Sequence, residues 1–285
     1  MIILSTKSPE YIESKFEGER GTQIFCRAWK PNGAARAAVV ITHGQGDHSG
    51  RHMHSAEHFV SEGFAVYAAD LRGHGKSGGK RGHVDSFDDY LADSRRVIEK
   101  ARSENPQVKT FLFGHSLGGL IVLDYAEKVG SNISAVIATS PLLRLKMEVP
   151  SWKVAMGRML SSVAPTMSMK TGLDPNLLSH DQDVVRNYVN DPLVHGVAST
   201  RFYTELIRAA DETLHGGSRL TLPCMLMVGT SDGIVDPSAT KEFFGTIASS
   251  DKTFKSYEGL YHEVLNESER ENLLNEMSTW ISARL

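Results

Sequence analysis

The chain has 285 residues; 31 Lys+Arg against 34 Asp+Glu leave a net charge of −3, with 40% hydrophobic and 23% charged positions. At a typical ~150 residues per domain this is one large domain or two modest ones, with apolar mass for a sizeable core. No basic excess exists to neutralise a phosphate backbone, which argues against a nucleic-acid binder. Two cysteines, Cys26 and Cys224, cannot build a disulfide framework; both fall in apolar, strand-like runs and are expected to be buried free thiols. The apolar start at residues 1–4 is too short for a signal peptide, and no run approaches the ~18 residues of a membrane span. A soluble, cytoplasmic protein is expected, with the oligomeric state left open.

Taken in order, residues 22–29 and 37–42 read as strands, 52–62 as a helix and 64–69 as a buried strand ending at Asp70. Ser86 opens a helix with Asp88 and Asp89 in its first turn, where the dipole favours acids. Strand 110–113, helix 117–129 and strand 133–138 follow. Strand 222–228, helix 238–247, strand 253–257 and helix 268–284 complete the chain. Strands alternating with helices predict an α/β fold, with a mostly parallel sheet covered on both faces. Residues 141–215 break the alternation with helices and loops and no convincing strand. The expected division is a core of residues 1–140 and 216–285 with a helical cap at 141–215. Within that cap Trp152, Ala155, Met156, Met159, Leu160 and Val163 fall on one helical face, opposite Lys153, Arg158, Ser161 and Ser162. Five of the ten methionines lie between Met147 and Met169. They suit either gap-filling in a small subdomain or an adaptable apolar rim over a greasy ligand or a lipid surface.

Gly-x-Ser-x-Gly marks a sharp strand-to-helix turn that exposes a nucleophilic serine, and it occurs three times: around Ser77, Ser116 and Ser231. Context must therefore choose. Ser77 has neither strand before it nor helix after it. Ser231 follows a strand, but Pro237 delays the helix and too little chain remains for an acid and a histidine. Ser116 follows Thr-Phe-Leu-Phe and leads straight into a helix, so Ser116 is the predicted nucleophile. Such a serine needs a base, and the base an acid to hold its tautomer, in the chain order Ser, acid, His. His262, beyond the last strand, is the available base. The acid falls just past strand 222–228, at Asp232 or Asp236. Asp236 precedes Pro237 and looks like a helix cap, which favours Asp232. Oxyanion donors are expected from the backbone N–H of Leu117 and, after strand 37–42, of Gln45.

These residues resemble the serine hydrolases of the α/β-hydrolase fold, and more narrowly the monoacylglycerol lipases. The similar stretches are His43-Gly-Gln-Gly-Asp-His-Ser-Gly-Arg51, Asp70-Leu-Arg-Gly-His-Gly-Lys-Ser77, Gly114-His-Ser-Leu-Gly-Gly119, Gly229-Thr-Ser-Asp232 and Tyr257-Glu-Gly-Leu-Tyr-His262. Ser140-Pro-Leu and Tyr188-Val-Asn-Asp-Pro192 extend the similarity into the insertion. The resemblance implies hydrolysis of monoacylglycerol, without metal or cofactor, beneath a cap over an apolar acyl channel. Met156, Met159 and Leu160 would line that channel. It also implies that Asp47, Arg51 and Tyr188 form the polar end that holds glycerol. Three positions depart from the pattern: Asp47 replaces a Glu, Leu265 stands where animal members have a second His, and Gln45 where a smaller residue is common. Lysophospholipases and broad carboxylesterases share much of the pattern, and an acyltransferase could use the same triad.

Other readings are weaker. His54-Ser-Ala-Glu57-His58 fits an inverted zinc-protease motif, but no third ligand is evident and a helix face explains it. Gly73-His-Gly75-Lys-Ser-Gly78 matches a dinucleotide fingerprint but opens no helix. A ligand receptor on this fold would have no need to retain Ser116, Asp232 and His262 together.

Overall fold

The computed structural model describes residues 10–146 and 151–285, and side chains throughout those ranges except 151–156. The expectations for residues 1–4 and Met147, and for the side chains of Trp152, Lys153, Ala155 and Met156, lie outside the described residues. The core is built from β1 (Glu10–Glu17), β2 (Gln23–Lys30), β3 (Ala37–Thr42), α1 (Met53–Ser61), β4 (Phe64–Ala69), α2 (Asp88–Glu104), β5 (Thr110–His115), α3 (Leu117–Lys128) and β6 (Ala135–Thr139). The chain then leaves the sheet through α4 (Ser151–Val163), β7 (Ser168–Lys170), α5 (Gln182–Asn190), β8 (Val197–Ser199) and α6 (Thr200–Leu214). It returns as β9 (Cys224–Gly229), α7 (Pro237–Thr246), β10 (Lys252–Tyr257) and α8 (Arg270–Ser282).

Eight strands form one sheet in the order β1-β2-β4-β3-β5-β6-β9-β10. β1 and β2 pair antiparallel, as do β2 and β4, and every later neighbour is parallel. Parallel strands covered on both faces need apolar residues at every position, and β3, buried throughout as AAVVIT, shows it. Alternate side chains feed two apolar layers. Val40, Tyr67, Leu112 and Val136 pack with residues of α2, α3, α6 and α7. Val39, Val66, Phe111 and Ile137 pack with residues of α1 and α8. Strand order reverses at β3, which lies between β4 and β5, so the loops leaving β3 and β5 diverge and open a crevice at their carboxyl ends. Cys26 and Cys224 are buried free thiols, as expected, and burial pushes both up to about 12.

The structure corrects three expectations. β1 was not foreseen, because its alternation of charged and apolar residues leaves one side to solvent. The insertion does contain strand: Ser168, Met169 and Lys170 of β7 pair antiparallel with Ser199, Ala198 and Val197 of β8. Three residues are too few to show a period, so tertiary pairing decides them. The third correction concerns α4. Met159 and Val163 stand 61% and 74% exposed, while Gly157 and Ser161 are buried. Ser161 Oγ bonds Thr204 Oγ1 of α6 at 3.0 Å, and Arg201 donates to Ser161 O. Two small residues one turn apart let α6 approach closely, so the described part of α4 turns its small side inward, which the gap-filling reading of its methionines did not anticipate.

Buried imidazoles tie this fold to pH. Burial lowers the pKa of His43 to about 4, of His54 to about 4 and of His115 to about 3. All three titrate near 6.5 when unfolded. The unfolded chain therefore binds more protons below pH 6.5, and stability is lost as pH falls from there toward 4. The urea midpoint is expected to fall steeply between pH 7 and 4.5. His54→Gln should flatten that slope by about one proton's worth, since the His54 ring only bridges Leu265 O, 2.9 Å from its Nε2, and Ser55 Oγ, 3.1 Å away. A midpoint unchanged from pH 7 to 5 would contradict this account.

Candidate active site

β5 ends at His115, and Ser116 turns the chain into α3 with φ 54 and ψ −116. A non-glycine residue there is strained and is held by what surrounds it. Ser116 N donates to Thr139 O at 3.0 Å, and Ser116 O accepts from Leu120 N and Leu142 N at 3.0 Å each. The flanking glycines are required by proximity: a Cβ on Gly114 would lie 2.2 Å from Gly118 O, and one on Gly118 2.0 Å from Thr42 O. The other two Gly-x-Ser-x-Gly serines do different work. Ser77 Oγ donates to Asp70 O and accepts from Phe25 N, while Ser231 lies exposed in the turn after β9.

His262 follows β10, buried, with Nδ1 2.7 Å from Asp232 Oδ2. The other carboxylate oxygen of Asp232 accepts from Ile234 N at 2.8 Å and Val235 N at 3.0 Å. Burial alone would raise the pKa of Asp232, but the His262 charge and these N–H donors outweigh it and hold the group below its ordinary value. Asp236 is elsewhere, capping α7 through Ser238 N at 3.0 Å and facing Arg144. One segment links histidine to serine: Ser140, itself at φ 42, donates Oγ to His262 O at 2.8 Å, two residues before Leu142 bonds Ser116. The ring of His115 lies 4.8 Å from that of His262, steadied by Thr139 Oγ1.

The loop leaving β3 abuts the serine, since a Cβ on Gly44 would stand 3.3 Å from Ser116 Cβ. His43 fixes the start of this loop: its Nδ1 faces Gly44 O at 2.8 Å, and its Nε2 accepts from Leu71 N at 2.8 Å. The Asp70–Ser77 stretch is scaffold. Asp70 accepts from Ser49 N and Lys76 N, and Arg72 forks onto Asp93.

Asp47, Arg51 and Tyr188 come together, with two partners that sequence reasoning missed. Arg51 forks onto both oxygens of Glu263 at 2.8 Å, reaches Asp47 Oδ1 at 3.1 Å, and lies 4.8 Å over the Tyr188 ring. His52 Nε2 meets Asp47 Oδ2 at 2.8 Å. Burial opposes the charge on Asp47 and Glu263, and Arg51 more than offsets it, so both carboxyls stay ionised. Burial pushes the Tyr188 hydroxyl up to about 12. Arg51 thus spends its planar face and its fork inside the protein, tying α5 to the loops after β3 and β10. Glu263 follows His262 directly, and that adjacency was the one available signal. Of the predicted channel residues, Met159 points to solvent and Leu160 is half-buried. The two histidines of the zinc-like motif that was set aside meet other groups, His54 on Leu265 O and His58 on Ser278 Oγ.

A serine elbow between a parallel strand and a helix, at the switch point of a sheet of this order, defines the class: the protein has the α/β-hydrolase fold. The chain belongs to the Hydrolase_4 family, described as serine aminopeptidase S33, which matches residues 33–269. It is 33% identical to the monoacylglycerol lipase of Mycolicibacterium smegmatis over the full length of both chains. It is 34% identical to the monoglyceride lipase of Rattus norvegicus, covering 93% of this chain and 88% of that one. Among solved structures, the monoacylglycerol lipase of Paleococcus ferrophilus superposes with a TM-score of 0.83 at 35% identity, covering 97% of this chain and 100% of its own.

Proposed function

We propose that this protein is a serine ester hydrolase that cleaves monoacylglycerol to fatty acid and glycerol. The observation that carries the reading is the strained Ser116 elbow, next in the chain to His115, whose ring lies 4.8 Å from that of the buried His262 paired to Asp232. Relatives named monoacylglycerol or monoglyceride lipase, alike over nearly whole chains, support the substrate class. His262 takes the Ser116 proton as Oγ attacks the ester carbonyl, and Asp232 stabilises the imidazolium. Backbone N–H groups of Gln45 and of Leu117, the latter at the positive end of α3, stabilise the oxyanion. His262 then protonates the departing glycerol oxygen. Water, deprotonated by the same histidine, attacks the acyl-serine, releases the fatty acid and restores Ser116.

In this reading residues 141–215 form the cap, and the Asp47–Arg51–Tyr188 cluster forms the polar end of the site. The test is a panel of monoacylglycerols, a diacylglycerol, a lysophospholipid and an acetyl ester. Monoacylglycerols are expected to show the highest kcat/KM; cleavage confined to acetyl-sized esters would end the reading.

The cap is also proposed to meet the lipid surface from which the substrate comes. Among the described residues, Met159, Val163, Met167, Met169 and Val189 are exposed large apolar side chains within 141–215. No helix of the described residues is long and apolar enough to cross a membrane. Liposome pelleting is expected to fall in a Met159→Glu/Val163→Glu double variant; equal pelleting would remove those residues from the contact.

A further inference from the structure

The turn after β3 reads Gly44-Gln45-Gly46, so Gln45 supplies its one side chain. Gly46 adopts φ 73, and a Cβ there would lie 2.3 Å from His195 O. A turn flanked by glycines has little stiffness of its own. What fixes the direction of the Gln45 backbone N–H must come from outside, and three bonds reach in. Gly46 O accepts from His195 N at 3.0 Å. Gln45 Nε2 donates to Val197 O at 3.1 Å, and Gln45 Oε1 faces His74 Nε2 at 3.0 Å. Val197 O can only accept, so the amide turns its NH₂ to β8 and its oxygen to the imidazole, a bond that requires neutral His74 to carry its proton on Nε2 rather than on the Nδ1 that faces Arg72 O. His74 is itself fully buried, with Nδ1 3.0 Å from Arg72 O and its ring 4.6 Å from that of His195. The Gln45 amide therefore spans from the loop after β4 to the first residue of β8, across the turn that carries the oxyanion donor.

We propose that the side chain of Gln45 is a positioning residue: it fastens the oxyanion turn to residues 195–197 and to His74, so that seating of this segment and aiming of the Gln45 N–H are one adjustment. The proposal rests on the reading of that N–H as an oxyanion donor. It gives a role to a side chain that stands where a smaller residue is common in the resembling family. A donor aimed at charge that develops only in the transition state acts on kcat and leaves ground-state binding alone. Loosening it should cost less than the ~10²–10³-fold that removing a donor outright costs.

The test uses p-nitrophenyl butyrate, so that it does not depend on the natural substrate, with rates normalised to Ser116 titrated by a fluorophosphonate. Gln45→Met keeps the length and loses both bonds. It is expected to lower kcat about tenfold to a hundredfold with KM within about twofold, and to weaken a trifluoromethyl ketone, which closes to an oxyanion on Ser116, by a similar factor. Gln45→Glu supplies the signature that packing alone would not give. Protonated, its carboxyl offers an O–H to Val197 O and an oxygen to His74; ionised, it repels Val197 O. His74 faces it directly; the rings of His195 and His43 pack on His74 at 4.6 and 5.5 Å, Arg81 acts on His195, and the Asp47 carboxylate lies two residues along. Its rate relative to the unsubstituted protein is expected to fall as pH rises from 5.5 to 8.5. A Gln45→Met protein with unchanged kcat, or with lowered kcat and undiminished ketone affinity, overturns the proposal, as does a Gln45→Glu ratio flat with pH. Full turnover by Ser116→Ala in the same assay would instead overturn the serine-hydrolase reading beneath it.

Discussion

Ser116→Ala is expected to lower ester turnover by on the order of 10⁶-fold, close to the loss of the whole serine mechanism. The alanine keeps everything but the attacking oxygen. Ser116 holds its backbone through Thr139 O, Leu120 N and Leu142 N, none of which involves the hydroxyl. The strained φ of 54 is no better for alanine than for serine, so the melting midpoint should hardly move. His262, Asp232 and the oxyanion donors remain, and the residual rate measures what they do for water alone. Steady-state turnover and the burst of alcohol product report it together. A variant within a hundredfold of the unsubstituted rate, or one that still shows a stoichiometric burst, would sink Ser116 as the nucleophile.

Asp232→Asn should cost about 10⁴-fold, and the reason lies in the two backbone donors beside it. Ile234 N and Val235 N point at Oδ1. In asparagine the atom that meets them must be the oxygen, because an NH₂ cannot accept. The amide nitrogen is then turned toward His262 Nδ1, 2.7 Å from the present Oδ2, and donates where the carboxylate accepts. His262 is driven to the tautomer with its proton on Nε2 and cannot take one from Ser116. Asp236→Asn is the matched control. Asparagine caps a helix about as well as aspartate, and Asp236 serves α7 and Arg144. Its turnover should stay within about twofold of the unsubstituted protein. A large loss in Asp236→Asn with little in Asp232→Asn would exchange the two assignments.

The parallel strands were legible because burial on both faces writes an unbroken apolar run, as in Ala-Ala-Val-Val-Ile-Thr of β3. The elbow was legible through its context, since three serines share the pattern and one joins a strand directly to a helix. β1 hid behind its charges, and β7 and β8 behind their length. α4 misled because Gly157 and Ser161 look like a solvent face, while their smallness is what admits α6. The partner of Arg51 could not be read from periodicity at all. Glu263 lies 212 residues away, and a charge in sequence carries no mark of the charge that will neutralise it. Gln45 shows the same limit within a single residue: the backbone role proposed for it follows from a motif, while the bonds of its amide depend on where β8 and His74 come to rest.

Among the described residues, three non-glycine positions have positive φ, Arg20, Ser116 and Ser140; the last two belong to the candidate site, Ser140 through its bond to His262 O. Backbone of that kind costs about 1–3 kcal/mol per residue, and glycine would relieve it at either place. In a domain of this size each kilocalorie moves the melting temperature by roughly 2–4 °C. Heat resistance and chemistry therefore pull in opposite directions at residue 116. A library screened on survival at high temperature alone would be drawn to replace the side chain proposed to attack the ester, and would recover a sturdier, silent protein. Improvement of this scaffold has to be selected on turnover after heating, with the strain at the elbow left in place and stability added elsewhere.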